Sequence, residues 1–202
     1  MIAPPPLLAA ENLALSRGGR QLFAAVSLAL APGELVLLRG PNGAGKSSLL
    51  LTLAGLLRPE TGRVVVADGL LPHLVGHAAG VKARLTLAEN LRFWRALNGP
   101  TGSTPEAALE TVGLGGLGAI EAGHLSAGQT RRLALARLVV SDRPLWLLDE
   151  PTAALDAAGD ALLARLVARR LATGGAVVAA THDAIAAPPG APTRTIWLGT
   201  PP

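Results

Sequence analysis

The sequence predicts an α/β domain: a mainly parallel β-sheet core covered by helices, an antiparallel β appendage and an inserted helical lobe. Three observations lead there. Continuous apolar runs of strand length occur at 34–40, 144–150 and 175–182, the pattern of strands buried on both faces. Helical patterns at 45–57 and 156–172 alternate with them. From about 78 to 141 the strand signals stop and helical ones take over.

Each element has a local reason. "ENLALS" (11–16) and "VSLAL" (26–30) alternate apolar and polar residues, which suits antiparallel strands around the "RGGR" turn. "ELVLLRG" (34–40) ends in a glycine-rich loop, and "GKSSLLLTLAGLL" (45–57) follows as a buried helix. "GRVVVAD" (62–68) is a strand rich in β-branched valine. A helix at 86–99 opens with Thr86 and Glu89 as a capping box. Another at 104–114 has Thr104 as cap and Pro105 in its first turn. "LSAGQTRRLALARL" (125–138) supplies a third. Strands return at 144–150, 175–182 and 193–199, with the helix 156–172 between the first two. The expected organisation is a single domain over 1–202, its core formed by about 1–77 and 142–202 and its helical lobe by about 78–141. "PPP" at 4–6 and "TPP" at 200–202 read as loose termini.

Composition narrows the function classes. Half the residues are apolar, enough for a sizeable core, so general disorder is not expected. With no cysteine there is no disulfide framework and no thiolate chemistry. No apolar run approaches the ~18 residues of a membrane-spanning helix, and no positive region precedes the first apolar residues as a secretory signal requires. The chain is therefore read as cytosol-facing. Its net charge of +4 reads as a slightly basic solvated surface. With two Phe, three Trp and no Tyr it lacks base-stacking platforms, and no nucleic-acid partner is expected.

"GPNGAGKS" (40–47) is a phosphate-binding loop placed between a strand and a helix. Its glycines let the backbone wrap an anion, and its amides with the helix N-terminus supply donors and positive potential. Gly40, Pro41, Asn42, Gly43, Ala44, Gly45, Lys46, Ser47 and Ser48 form the candidate phosphate site. Lys46 would reach the β and γ phosphates and Ser47 would ligate Mg²⁺. Asp149 and Glu150 end the apolar strand "LWLLDE". Asp149 fits the acid that holds Mg²⁺, and Glu150 is placed to orient or deprotonate an attacking water.

Three further segments narrow this phosphate-loop NTPase. "LSAGQ", "LLDEPTAALD" (147–156) and "THD" (181–183) together resemble the signature, acid strand with D-loop, and switch-histidine segments of the ATP-binding cassette (ABC) family. The resemblance covers essentially the whole chain and implies ATP and Mg²⁺ as ligands. It also implies a second ATP-binding chain, with two cassettes pairing head to tail as a homodimer. Ser126, Ala127, Gly128 and Gln129 would cap the nucleotide bound by the partner, His182 would contact the γ-phosphate, and Asp156 would bridge to the partner cassette or cap the helix that follows it. Arg131 and Arg132 are expected to make surface pairs.

Two departures from the family pattern stand out. Arg17 occupies the place of the aromatic residue that stacks on adenine, where a guanidinium can still stack on a base. Ala78 occupies the place of a glutamine that touches Mg²⁺ or the lytic water, which implies slow hydrolysis unless His77 compensates. "RGGRQLF", "GHAAGVKARLTLAENLRFW" and the signature helix together resemble the ATP-binding subunit of the bacterial cytochrome c biogenesis haem exporter, the CcmA family. That resemblance implies membrane permease subunits as partners and a peripheral place on the cytoplasmic face of the inner membrane. The stretch around 78–95, with Arg92 and Arg95, is expected to receive the partner's helix. Three alternatives stay open: the ATPase of another ABC exporter, an ATP-gated assembly module with weak hydrolysis, and a non-transport cassette acting on DNA or ribosomes.

Overall fold

In a computed structural model, residues 4–199 are described; the expected loose end at 200–202 lies outside them. Strands β1 (Leu8–Arg17), β2 (Arg20–Leu30) and β4 (Thr61–Val66) form an antiparallel sheet in the order β2-β1-β4. A parallel sheet follows the order β5-β6-β7-β3-β8, from His73–Val75, Leu145–Asp149, Ala176–Ala180, Leu35–Arg39 and Thr193–Trp197. The helices are α1 (Lys46–Leu53), α2 (Leu87–Asn98), α3 (Pro105–Thr111), α4 (Ala127–Val140) and α5 (Ala157–Ala172).

Strand periodicity divides the core into two layers, because successive side chains point to opposite faces. Leu35, Leu37, Trp146, Leu148, Val177 and Ala179 face one layer, shared with α4 and α5 through Leu135, Leu138, Leu163 and Val167. Val36, Leu38, Leu145, Leu147, Val178 and Ala180 face the other, shared with α1 and the antiparallel sheet through Leu49, Leu53, Leu8, Leu13 and Leu30. A parallel sheet needs cover on both faces, and the antiparallel sheet provides part of it.

Several boundaries differ from expectation. β1 starts at Leu8 and β2 occupies all of Arg20–Leu30, because pairing with a neighbour extends strands through residues whose own pattern is weak. α3 stops at Thr111, just ahead of Gly113 with its positive φ of 71°. β5 has only three residues, too short to produce a periodic signal; its pairing with β6, Val75 opposite Leu148, makes it a strand. The Thr86–Glu89 capping box and the Thr104 cap form as expected.

β5 also carries a buried histidine at the join between the sheet and the helices of 87–140. His73 is 1% exposed, and its Nε2 lies 3.3 Å from Nδ2 of Asn98 at the end of α2. Burial first, then the charges of Arg137, Arg143 and Arg170, lower its pKa to about 3, so it is neutral in the folded protein. The folded value lies below the unfolded one, so this group's contribution to stability is present above pH 6.5 and is lost as pH falls toward 3. Between pH 7 and pH 5 the wild type is expected to lose about 2 kcal/mol relative to His73→Gln, measured by denaturant unfolding of both proteins at each pH.

Candidate active site

The phosphate loop leaves β3 at Arg39 and enters α1 at Lys46, and close packing explains its glycines. A Cβ at Gly40 would stand 2.2 Å from the Leu198 carbonyl oxygen, and Gly45 caps α1 at a φ of 95°. Lys46 is buried, and its ammonium donates to the carbonyls of Gly40 (2.8 Å) and Pro41 (3.2 Å), which aims it back over the loop. The first-turn amides of α1 have no partner within the helix and point, with the positive end of its dipole, at any anion held there. Ala44 is buried beneath the loop, and the Ser48 carbonyl accepts from Thr52 Oγ1.

A cavity of about 420 Å³ lies over this loop. Asn42, Gly43, Gly45, Lys46, Ser47 and Ser48 form its floor, with Asp149 and Glu150 on one side, Arg17 and Leu22 on another, and His77 completing the wall. Asp149 is 6% exposed at the end of β6, while Glu150 turns the chain with a left-handed φ of 47°. Its amide donates to the Ala180 carbonyl at 2.7 Å, which joins the acid turn to β7. His182 follows β7: its Nε2 lies 3.3 Å from Lys46 Nζ, 3.1 Å from Asn42 Oδ1 and 3.6 Å from Glu150 Oε1. Arg39 fixes this segment by donating to the carbonyls of Thr181 (2.8 Å) and Asp183 (2.7 Å), and the hydroxyls of Thr152 and Thr181 meet at 3.2 Å. Lysine, serine, two acids and an imidazole thus converge where a terminal phosphate and a water could be held.

Arg131 corrects the expectation of a surface pair. It is 4% exposed and donates to the carbonyls of Asp149 (2.7 Å), Pro151 (3.1 Å), Gly76 (3.1 Å) and Glu150. Burial lowers its pKa, opposed by the charges of Asp149 and Glu150. Arg131 and Arg39 are the site residues that sequence reasoning missed. For Arg131 a signal existed, because it shares a helical face with Ala134, Leu135 and Leu138, all buried. Arg132 does make a surface pair, 2.6 Å from Asp156 Oδ1.

The signature residues stand apart from the loop. Ser126 caps α4, accepting from the Gln129 amide while the Gln129 side chain accepts from the Ser126 amide. Ser126, Gly128 and Gln129, with Arg132, Ala154 and Asp156, line a separate cavity of about 540 Å³ that shares no lining residue with the first. Ala127 is exposed on the first turn of α4. A Cβ at Gly128 would press the Ala154 carbonyl at 3.0 Å. Asp156 caps α5 as well as pairing with Arg132, accepting from the Gly159 amide at 2.8 Å. Ala78 is exposed and lines a third cavity, a cleft between the sheet and α2, together with Leu56, Leu71, Trp94 and Leu97. Arg92 and Arg95 do not line that cleft: Arg92 pairs with Glu106 and Arg95 donates to the Pro100 carbonyl.

Fold, phosphate loop, acid turn and signature helix define the nucleotide-binding cassette of a transport ATPase. Residues 23–153 match the profile of the ABC transporter family, and the chain belongs to that family as an ATP-binding subunit and ATPase. It is 50% identical over 183 residues to the cytochrome c biogenesis ATP-binding export protein CcmA of Mesorhizobium japonicum, covering 87% of this chain and 91% of that one. The protein of the same name from Rhizobium meliloti is 52% identical over 189 residues, with coverages of 87% and 91%. Among solved structures, an ABC transporter ATP-binding protein from Pyrococcus furiosus superposes with a TM-score of 0.77 at 21% identity, covering 93% of this chain and 96% of that one. An ATP-binding cassette in its ADP conformation gives 0.71 at 22% identity, with coverages of 90% and 83%. At those identities the two structures share the fold alone.

Removing the Arg131 guanidinium strands four carbonyls around the acid turn. Arg131→Met is expected to cost about 3 kcal/mol of stability or more, read from chemical denaturation. In the fraction that folds, ATP turnover should fall further than ATP affinity does.

Proposed function

We propose that the chain is the ATP-hydrolysing subunit of the haem exporter complex used in c-type cytochrome biogenesis. The observation that carries the ATPase mechanism is the convergence of Lys46, Ser47, Asp149 and Glu150 on one cavity with His182 at its edge. The identity of about half the residues to export proteins of cytochrome c biogenesis, over nearly the whole chain, supports the particular pathway.

In this reading Gly40 to Ser48 wrap the triphosphate with backbone amides, and Lys46 stabilises charge on the β and γ phosphates. Glu150 takes a proton from the attacking water, and His182 holds the γ-phosphate. Arg17 lies against the adenine. Ser47 and Asp149 fit Mg²⁺: a hydroxyl and a carboxylate in one cavity suit a hard cation whose other ligands are waters and phosphate oxygens. Held by Ser47 and Asp149, the ion would supply positive charge that offsets the charge of the phosphates.

The separation of the two polar cavities supports a head-to-tail homodimer. Ser126, Ala127, Gly128 and Gln129 of one copy cover the nucleotide in the other, with Asp156 bridging to the partner cassette. The core of about 1–77 and 142–202 carries the nucleotide cavity, and the helical lobe of about 78–141 carries the signature residues. Leu56, Leu71 and Leu97 are exposed on the third cleft, and this apolar surface receives a cytoplasmic helix of a permease subunit. No helix among the described residues is long and apolar enough to cross a membrane, so association with the cytoplasmic face of the inner membrane runs through those partners. Ala78, with no hydrogen-bonding group, favours a second reading: an ATP-gated assembly module that binds nucleotide and barely turns it over.

ATP turnover of the complex with its permease subunits separates these readings. Coupled hydrolysis predicts turnover that rises with the partners and falls about 100-fold or more in Glu150→Gln, while that variant keeps ATP affinity and accumulates as an ATP-bound dimer in gel filtration. Lys46→Ala should lose ATP binding in titration calorimetry. Binding without turnover in the complete complex would instead establish the assembly module.

A further inference from the structure

We propose that His77 holds the attacking water at the reacting end of the nucleotide cavity, doing there what Ala78 has no group to do. The proposal rests on the reading of that cavity as an ATPase site.

The wall of the cavity comes from the β1–β2 hairpin, the phosphate loop with α1, the acid turn, and one residue of the connection leaving β5, which is His77. Strand register places that residue. Leu74 pairs with Leu147 and Val75 with Leu148 in parallel alignment, so Gly76–His77 and Asp149–Glu150 follow from the ends of neighbouring strands. The guanidinium that holds the carbonyls of Asp149 and Glu150 also holds the carbonyl of Gly76. One rigid group therefore sets the distance between the backbone of His77 and the acid.

Beyond His77 the chain turns away. Ala78 lines the cleft beside α2, the Ala79 carbonyl accepts from Arg137 at 3.0 Å, and the Gly80 carbonyl accepts from Trp94 Nε1 at 3.2 Å. His77 is the last residue on the nucleotide side of this join. Its imidazole is exposed, and no hydrogen bond ties it to another described residue. An imidazole offers one donor and one acceptor, enough to hold a water between Glu150 and a terminal phosphate.

Steady-state ATP hydrolysis by the complex with its permease subunits tests the assignment in wild type, His77→Ala and His77→Gln, with Glu150→Gln alongside. His77→Ala should lower kcat about 10- to 100-fold, the worth of a hydrogen bond to a charged centre, with KM for ATP changed by no more than about twofold. His77→Gln, which keeps a donor and an acceptor, should recover most of the rate. Permease co-purification should be unchanged in both. Wild-type turnover that Glu150→Gln abolishes and His77→Ala leaves intact overturns the assignment of His77 alone. Equal losses in both His77 variants, together with lost ATP affinity or lost co-purification, also overturn it, since they describe a structural joint. A wild-type complex without turnover refutes the ATPase reading and this proposal with it.

Discussion

The guanidinium of Arg131 lies beneath the acid turn and donates to the carbonyls of Gly76, Asp149, Glu150 and Pro151. A buried charge is costly unless dipoles replace the water it has lost. Here four carbonyls do so, drawn from two adjacent strands' ends. The exchange has a structural product: Glu150 sits at a left-handed φ that costs a side-chain-bearing residue roughly 1–3 kcal/mol, and the bonds to Arg131 hold it there. The acid, its strand and the connection carrying His77 become one body. Helix α4 begins at the signature turn and bears Arg131 about one turn later, so the two cavities are tied through the first turns of a single helix.

The phosphate loop depends on a second set of cross-links. Arg39 leaves β3 just before the loop and grips the carbonyls on either side of His182. The Thr152 and Thr181 hydroxyls join the acid segment to the same stretch. Lys46, Glu150 and His182 thus follow the C-terminal ends of β3, β6 and β7, neighbours in the parallel sheet. In such sheets a crevice beyond the strand ends, where helix N-termini also point, is where an anion is best stabilised.

At the β5 edge of the sheet, the join to the helical segment is built from side chains that remain fixed only when folded. Arg137 lies with its guanidinium carbon 3.4 Å from the centroid of the Trp94 ring, and burial depresses its pKa to about 10. His73 beside it stays neutral. Burial first, and then the charge of Arg137, keeps His73 from accepting a proton in the folded protein, so acid disfavours the folded state through this group. This is the face that the exposed Leu56, Leu71 and Leu97 surround.

The sequence by itself determined what depends on neighbours in the chain. The phosphate loop, the acids closing an apolar strand, the Thr86–Glu89 capping box and the alternation of buried strands with helices all rest on spacings of a few residues, and each is legible without a fold. Tertiary structure decided the rest. β5 exists because β6 offers it a partner, and β4 joins the antiparallel sheet by pairing with β1. Arg131 and Arg132 are adjacent and chemically identical, yet one is buried on carbonyls and the other reaches Asp156 at the surface. His77 and Ala78 likewise part to two different cavities. Composition treats Arg131 and Arg132 alike, and only the helical spacing that groups Arg131 with Ala134, Leu135 and Leu138 hints at their difference. What separates them is which face of a helix or strand end meets residues distant in the chain, 18 positions for Arg131 and Asp149 and 63 for Arg137 and Leu74, and those meetings are created only when the sheet assembles.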